Sequence, residues 1–283
     1  MIPGLLRIAA FCDGERGGNP AGVSIAGRHP DETEMRRIAA EVGYSETAFA
    51  MPCAGARNDA WRVRYFSPES EVPFCGHATI ALGAALAGRY GDGVFRLQLN
   101  QAEITVEGWR EHGTTHAALQ SPPTRSAPLP DALLAETLEL FALRHDDLET
   151  EIPAARIHGG ADHFALCLKT RALLAAMQYD LDAGRRLMNR ESLITILLGW
   201  AETPRRFHTR NPFASGGVYE DPATGTATAA FGGYLRDLGW PHGGSIEVLQ
   251  GEDMGAPSRL WAEIPPAAGE SIRVSGATRP LEA

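Results

Sequence analysis

One stretch of this chain is written twice, and the copy constrains the fold more than any other feature. E-V-P-F-C-G-H-A-T-I-A-L-G-A-A-L begins at Glu71, and E-D-P-A-T-G-T-A-T-A-A-F-G-G-Y-L begins at Glu220. The copies keep a constant offset of 149 positions, the distance from Glu71 to Glu220. Pro73 meets Pro222, Gly76 meets Gly225, Ala78 meets Ala227, Thr79 meets Thr228 and Gly83 meets Gly232. An offset this long means two similar domains, because solenoid repeats are far shorter. Each copy reads as a loop running into a helix, where backbone amides point outward and bind anions. Two such junctions facing each other would make a site.

The helices behind the junctions are unusual. Ala78 to Ala87 carries no charge and no polar residue except Thr79, and Ala227 to Leu235 is built from Ala, Gly, Thr, Phe, Tyr and Leu. A soluble helix that is apolar on every face must be surrounded. In a chain otherwise rich in short strands, the expected wall is a rolled sheet around each helix. The alternative is a pair of ordinary buried helices between layers.

Several function classes drop out on composition. The chain has 283 residues, enough for two ordinary domains, and is 44% apolar and 22% charged, as soluble globular proteins are. A net charge of −9 without a basic stripe argues against a nucleic-acid partner. No apolar run approaches membrane-spanning length, and the opening Met1 to Arg7 lacks the pattern of a signal peptide. Cys12, Cys53, Cys75 and Cys167 are widely spaced and form no C-x-x-C pair, which fits thiols in a reducing cytoplasm better than disulfides or a zinc site. The expectation is a cytoplasmic protein of two domains, 1–120 and 121–283. The proline cluster Ser121 to Pro130 is the candidate linker, and a late strand is expected to cross back to the first domain.

Local patterns fill in the elements. Leu5 to Phe11 reads as a strand and Gly14 to Gly22 as a glycine-rich turn. Asp31 is placed to cap a helix in a capping box with Glu34, and Gly43 to end it. Around Glu46 the period of two puts Glu46, Ala48 and Ala50 on one face. Trp61 to Phe66 is a strand, and Val94 to Leu99 and Glu103 to Val106 pair around Asn100-Gln101. Asp131 to Leu143 and Asp180 to Met188 read as helices. His163 to Leu168, Ser192 to Leu198, Ser245 to Leu249, Ser258 to Ile264 and Ser271 to Ser275 read as strands.

The chemistry gathers at the junctions. Cys75-Gly76-His77 and Thr224-Gly225-Thr226 put glycine where a backbone comes close to something, and their free amides would hold a carboxylate or an enolate-like oxygen. Glu46, followed on its face by small apolar residues, would be partly desolvated and suited to moving protons near neutral pH. An exposed strand glutamate is the plain alternative. His77 is either a second proton carrier or a capping or core histidine. Asp221 either accepts a hydrogen bond from His77 or substrate, or caps a helix. Cys75 at a helix start could act as a base. Its counterpart Thr224 is a poor base, so racemisation by two thiols is not expected. No metal cluster, Walker loop or dinucleotide fingerprint occurs, so no metal or organic cofactor is expected.

At this point the chain resembles the phenazine-biosynthesis PhzF-like family, of the diaminopimelate-epimerase-like fold. The matching strings are G-N-P-A at Gly18 to Ala21, S-E-T-A-F at Ser45 to Phe49, R-Y-F-S-P at Arg64 to Pro68, C-G-H-A-T at Cys75 to Thr79, E-D-P-A-T-G-T-A at Glu220 to Ala227 and Q-G-x-x-M-G-x-P-S at Gln250 to Ser258. They run in family order along nearly the whole chain. The resemblance implies an α+β fold of two similar, pseudo-symmetric domains, each a barrel-like, mainly antiparallel sheet around a central helix, with the active site in the cleft between them. It implies a cofactor-independent isomerase acting on a small carboxylate-bearing substrate, and it suggests a homodimer. Glu46 would shuttle the proton, with His77 and Asp221 positioning substrate. Ser45, Cys75, Gly76, Thr224, Gly225 and Thr226 would line its binding site. Two positions depart from the family. Thr226 stands where the family has serine, and Ala256 where it often has arginine. A Cys75-dependent epimerase or dehydratase and a non-catalytic small-molecule-binding protein remain the competing readings.

Overall fold

A computed structural model describes residues 4–55, 57–100 and 102–282, so Gln101 of the expected Asn100-Gln101 turn and the opening Met1-Ile2-Pro3 lie outside the described residues. The chain divides into two compact units, Met1–Gln120 with Ser275–Ala283, and Ser121–Val274. The first holds β1 (Leu5–Cys12), β2 (Asn19–Ile25), α1 (Glu32–Val42), β3 (Thr47–Pro52), β4 (Ala60–Phe66), β5 (Glu71–Val72), α2 (Gly76–Tyr90), β6 (Gly93–Gln98), β7 (Glu103–Glu111) and β8 (Thr114–Gln120). The second holds β9 (Arg125–Pro128), α3 (Asp131–Leu140), β10 (Ala155–His158), β11 (Asp162–Cys167), α4 (Arg171–Ala175), α5 (Leu181–Arg190), β12 (Thr195–Thr203), β13 (Arg206–Phe213), β14 (Val218–Asp221), α6 (Gly225–Asp237), β15 (Ser245–Gln250) and β16 (Ser258–Glu263). The last strand, β17 (Arg273–Pro280), begins in the second unit and ends in the first.

In the first unit the strands form a closed ring. β1 pairs β2 antiparallel, β2 pairs β3 parallel, β3 pairs β4 antiparallel and β4 pairs β6 parallel. β6, β7 and β8 follow as an antiparallel run, β8 joins β17, and β17 returns antiparallel to β1. α2 packs against β1, β2, β3, β6, β7 and β8, and every residue from Gly76 to Ala87 is buried. The all-round apolar helix is therefore enclosed, as its composition demands. Glycine sets how closely the wall approaches. A Cβ on Gly108 of β7 would lie 2.4 Å from the Gly83 carbonyl oxygen of α2, so helix and strand pass at a distance that no side chain permits.

The second unit repeats this order of pairings. β10–β11 is antiparallel, β11–β12 parallel, β12–β13 antiparallel, β13–β15 parallel and β15–β16 antiparallel, with α6 packed against β9, β10, β11, β15 and β16. The short strand before each central helix also recurs, as β5 on β4 and β14 on β13. An ion pair recurs with it: Arg64 bonds Glu71 in one unit and Arg210 bonds Glu220 in the other, each with a shortest contact of 2.5 Å. The fold is α+β and pseudo-symmetric, with antiparallel pairings predominant.

Three local expectations need correction. Gly14 to Gly22 is not all turn. The chain turns at the Asp13–Arg16 bridge, and β2 starts at Asn19 with Pro20 inside it. Proline is tolerated there because the β2–β3 ladder begins only at Gly22, so its missing N–H is not needed on that side. The proline cluster at 121–130 is not a free linker. It contains β9, which pairs β10 antiparallel, and its Ser121 and Thr124 amides donate to the Ile272 and Gly269 carbonyls. The capping box at Asp31 is half made. Asp31 accepts from the Glu34 amide, but the Glu34 carboxylate turns to Arg37 instead.

His163 lies on β11 within the second unit, wholly buried, with Nδ1 bonded to the Thr195 hydroxyl at 2.8 Å and no partner at Nε2 among the described residues. Burial pushes its pKa down to about 3. A histidine held neutral in the fold titrates near 6.5 when unfolded. The unfolded state then binds the extra proton, so its stabilising effect is complete above about pH 6.5 and is lost as pH falls toward 3. The slope of that loss is about 1.4 kcal/mol per pH unit. Urea melts between pH 7 and pH 4 on wild type and His163→Gln check this: the variant is expected to show a flatter acid limb, and identical limbs would refute the assignment.

Candidate active site

Three side chains of the first unit converge where α2 begins. Glu46 sits just ahead of β3, its carbonyl accepting from the Gly22 amide of β2. The period-two reading holds here, since Ala48 and Ala50 pack into the cluster that also contains Cys75 and Ala78 of the central helix, while Phe49 faces α1. Cys75 is the N-cap residue of α2, and its carbonyl accepts from both the amide and the hydroxyl of Thr79. The Thr79 hydroxyl is in turn paired with that of Tyr65 at 2.6 Å, which pins the helix start to β4.

The distances are short and mutual. Glu46 Oε2 lies 3.4 Å from His77 Nε2 and 3.5 Å from Cys75 Sγ. Cys75 Sγ is 3.4 Å from His77 Nδ1, and Ser45 Oγ is 3.4 Å from His77 Nε2. The Glu46 and His77 side chains are 13% and 8% exposed, shielded from bulk water but not sealed from a ligand. No side chain caps α2, whereas Asp31 and Asp180 cap α1 and α5. The first amides of α2 thus keep their capacity for an anion.

The second unit builds a corresponding junction from different groups. The Asp221 carboxylate accepts from the Thr224 hydroxyl at 2.6 Å. Gln250, the first residue of Q-G-x-x-M-G-x-P-S, accepts from the Thr224 amide at 3.1 Å and donates to the Asp221 carbonyl at 2.7 Å. Gln250 is fully buried and splints the start of α6, a role its sequence motif marked without explaining. Asp221 does not cap α6: the N-cap residue is Thr224, and no side chain caps that helix either. Gly225 and Thr226 open α6, Gly225 buried and Thr226 partly exposed. Within their own units, then, Ser45, Glu46, Cys75, Gly76 and His77 form one group, and Asp221, Thr224, Gly225 and Thr226 another.

The family model for phenazine biosynthesis-like proteins matches residues 8–281. The chain belongs to that family. Among curated relatives, the trans-2,3-dihydro-3-hydroxyanthranilate isomerase of Pseudomonas chlororaphis is 31% identical over 268 residues, covering 94% of this chain and 92% of the relative. The uncharacterized isomerase YfhB of Bacillus subtilis is 27% identical over 282 residues, with 94% and 92% covered. A predicted epimerase from Pseudomonas aeruginosa shares the fold at TM-score 0.84 with 23% identity, covering 98% of this chain and 96% of its own. A probable proline racemase from Agrobacterium radiobacter shares it more distantly, at TM-score 0.64 with 14% identity and 98% and 90% covered. This PhzF-like protein is an isomerase. Among the described residues, no helix is long and apolar enough to cross a membrane.

Glu46, Cys75 and His77 also offer three ligand atoms within 4.8 Å of one another, the donor types of a zinc site. Their orientation fits proton handling better. Cys75 Sγ is 3.4 Å from one ring nitrogen of His77 and 3.8 Å from the other, so the sulfur faces the side of the imidazole and neither lone pair. Joint ligation of an ion would require the ring to turn.

Proposed function

We propose that this PhzF-like protein is a cofactor-independent isomerase that moves a proton on a small carboxylate-bearing substrate, with Glu46 as the shuttle. The observation carrying the proposal is the Glu46 carboxylate held 3.4–3.5 Å from His77 and Cys75 at an uncapped helix start. Glu46 takes a proton from carbon beside a carbonyl or double bond and returns it to another carbon on the same face. His77 hydrogen-bonds the carboxylate and the developing oxyanion, and the amides at Gly76 hold the substrate carboxylate. The name of the Pseudomonas chlororaphis relative, a dihydro-hydroxyanthranilate isomerase, supports a cyclic amino-acid-like carboxylate.

Turnover in deuterium oxide tests the reading once a metabolite library has been screened for ligands that raise the melting temperature. A bound compound should return with deuterium at the receiving carbon. Binding without exchange for every stabilising compound would make the protein a binder and sink the proposal. Iodoacetamide separates the second reading, in which Cys75 is the base. Loss of exchange in a Cys75→Ser variant with intact ligand binding would hand the role to the thiol, whereas retained exchange keeps it with Glu46.

A further inference from the structure

A cavity opens in the first unit beside the half of α2 opposite the Glu46 cluster. Its volume is about 560 Å³, within the few-hundred to thousand Å³ range of small-molecule pockets. It lies at the end of β17, which stops at Pro280 before the Leu281 amide donates to the Arg7 carbonyl of β1. Residues of β1, α2, β7, β8 and the end of β17 line it. Its floor is apolar, from Leu5 and Ile8 on β1 and Ala84 and Ala85 on α2. Its rim is cationic, from Arg7, Arg89 and Arg110.

None of these guanidinium groups pairs with a carboxylate among the described residues, although the Arg110 amide donates to Asp92 Oδ1 at 3.1 Å. Arg110 Nη2 reaches only the Gly88 carbonyl, at 3.4 Å, and Arg89 lies over the Tyr90 ring. That bond and the Arg89 charge offset the negative end of the α2 dipole, which would otherwise repel an anion. In a chain of net charge −9, three guanidinium groups around one apolar cavity make a local positive spot that concentrates small anions. An apolar floor with an arginine rim selects for two features at once, a short hydrocarbon or aryl body and an oxyanion head.

We propose that this cavity is a second ligand site, separate from the Glu46 cluster, that takes an amphiphilic oxyanion: a medium-chain or aryl carboxylate, or the phosphate analogue of one. The body lies on Ala84, Ala85, Leu5 and Ile8, and the head meets Arg7, Arg89 and Arg110.

The test uses the full chain with octanoate, octyl phosphate, octanol and octylamine, read by thermal shift and by calorimetric titration. Either anion should raise the melting temperature where octanol and octylamine do not, and the ranking of the two names the head group. The Arg7→Ala/Arg110→Ala double variant should weaken anion binding at least tenfold, while His77→Ala leaves it unchanged. Should the double variant fail to fold, Arg89→Ala alone, at an exposed position, takes its place. Three results overturn the proposal: equal stabilisation by octanol, undiminished anion binding in the arginine variants, or binding lost in His77→Ala, which would place the anion at the Glu46 cluster. A fourth is a change in sedimentation mass on Arg110→Glu, which would mean that a second copy of the chain covers the cavity. Because none of these readouts uses turnover, failure here is distinguishable from failure of the isomerase reading.

Discussion

Replacing Glu46 by Gln is expected to lower kcat/KM by about 10²–10⁴, the usual worth of a positioned proton-transfer group. Gln keeps the shape and a hydrogen-bonding oxygen but cannot accept a proton. The fold should survive, because among the described residues the Glu46 side chain contacts His77 and Cys75 at 3.4–3.5 Å, and both are anchored elsewhere. Cys75 is held by the α2 backbone, and His77 keeps its contact with Ser45. Ligand affinity should change little, so the loss belongs in kcat. The measurement is deuterium uptake into product by wild type and variant at matched occupancy; undiminished uptake removes Glu46 from the mechanism. Adding His77→Ala to Glu46→Gln should cost little more than the single change if the two act as one unit.

Glu220→Ala is expected to destabilise the protein by about 3–5 kcal/mol, the cost of stranding a buried charge. The Arg210 and Glu220 side chains are 9% and 3% exposed, and three guanidinium contacts of 2.5–3.2 Å join them. Without Glu220, Arg210 keeps carbonyl contacts to Ala175 and Met177 and a distant Asp253 at 3.9 Å, too little to replace its partner. The pseudo-symmetric Glu71→Ala should cost only about 1 kcal/mol, since both side chains of the Arg64–Glu71 pair are 21% exposed and Arg64 retains Glu32 at 3.5 Å. Urea midpoints of the two variants decide the matter, and equal losses would show that burial does not set the difference. Glu220 adjoins Asp221, so its loss should also loosen the start of α6.

Much of the architecture was legible in the residues. The apolar helices required enclosure, and both are enclosed. Asp31 and Gly43 bracket α1 by side-chain capping and a left-handed backbone, both local effects readable from spacing. Glu46 shares a face with Ala48 and Ala50 because strand parity is fixed by the backbone. What escaped were strands without apolar alternation. β13 reads R-F-H-T-R-N-P-F, yet Thr209, Arg210 and Asn211 are buried in it. Its place between β12 and β15 comes from ladder pairing and from the Arg210–Glu220 bond, neither of which leaves a periodic trace. β9, among prolines, is likewise a strand only because β10 is beside it.

The duplicated segment by itself determined the two central helices and the identity of both junctions, because these rest on glycine, helix polarity and apolar composition, which act within a dozen residues. It did not determine the chemistry at either junction. Only tertiary structure brought Glu46, far from Cys75 and His77 in sequence, to within 3.5 Å of both, and seated Gln250 against Asp221 and Thr224. The reason is that proton transfer depends on distances between side chains from separate strands and helices, and those are set by how a ring of strands closes around its helix.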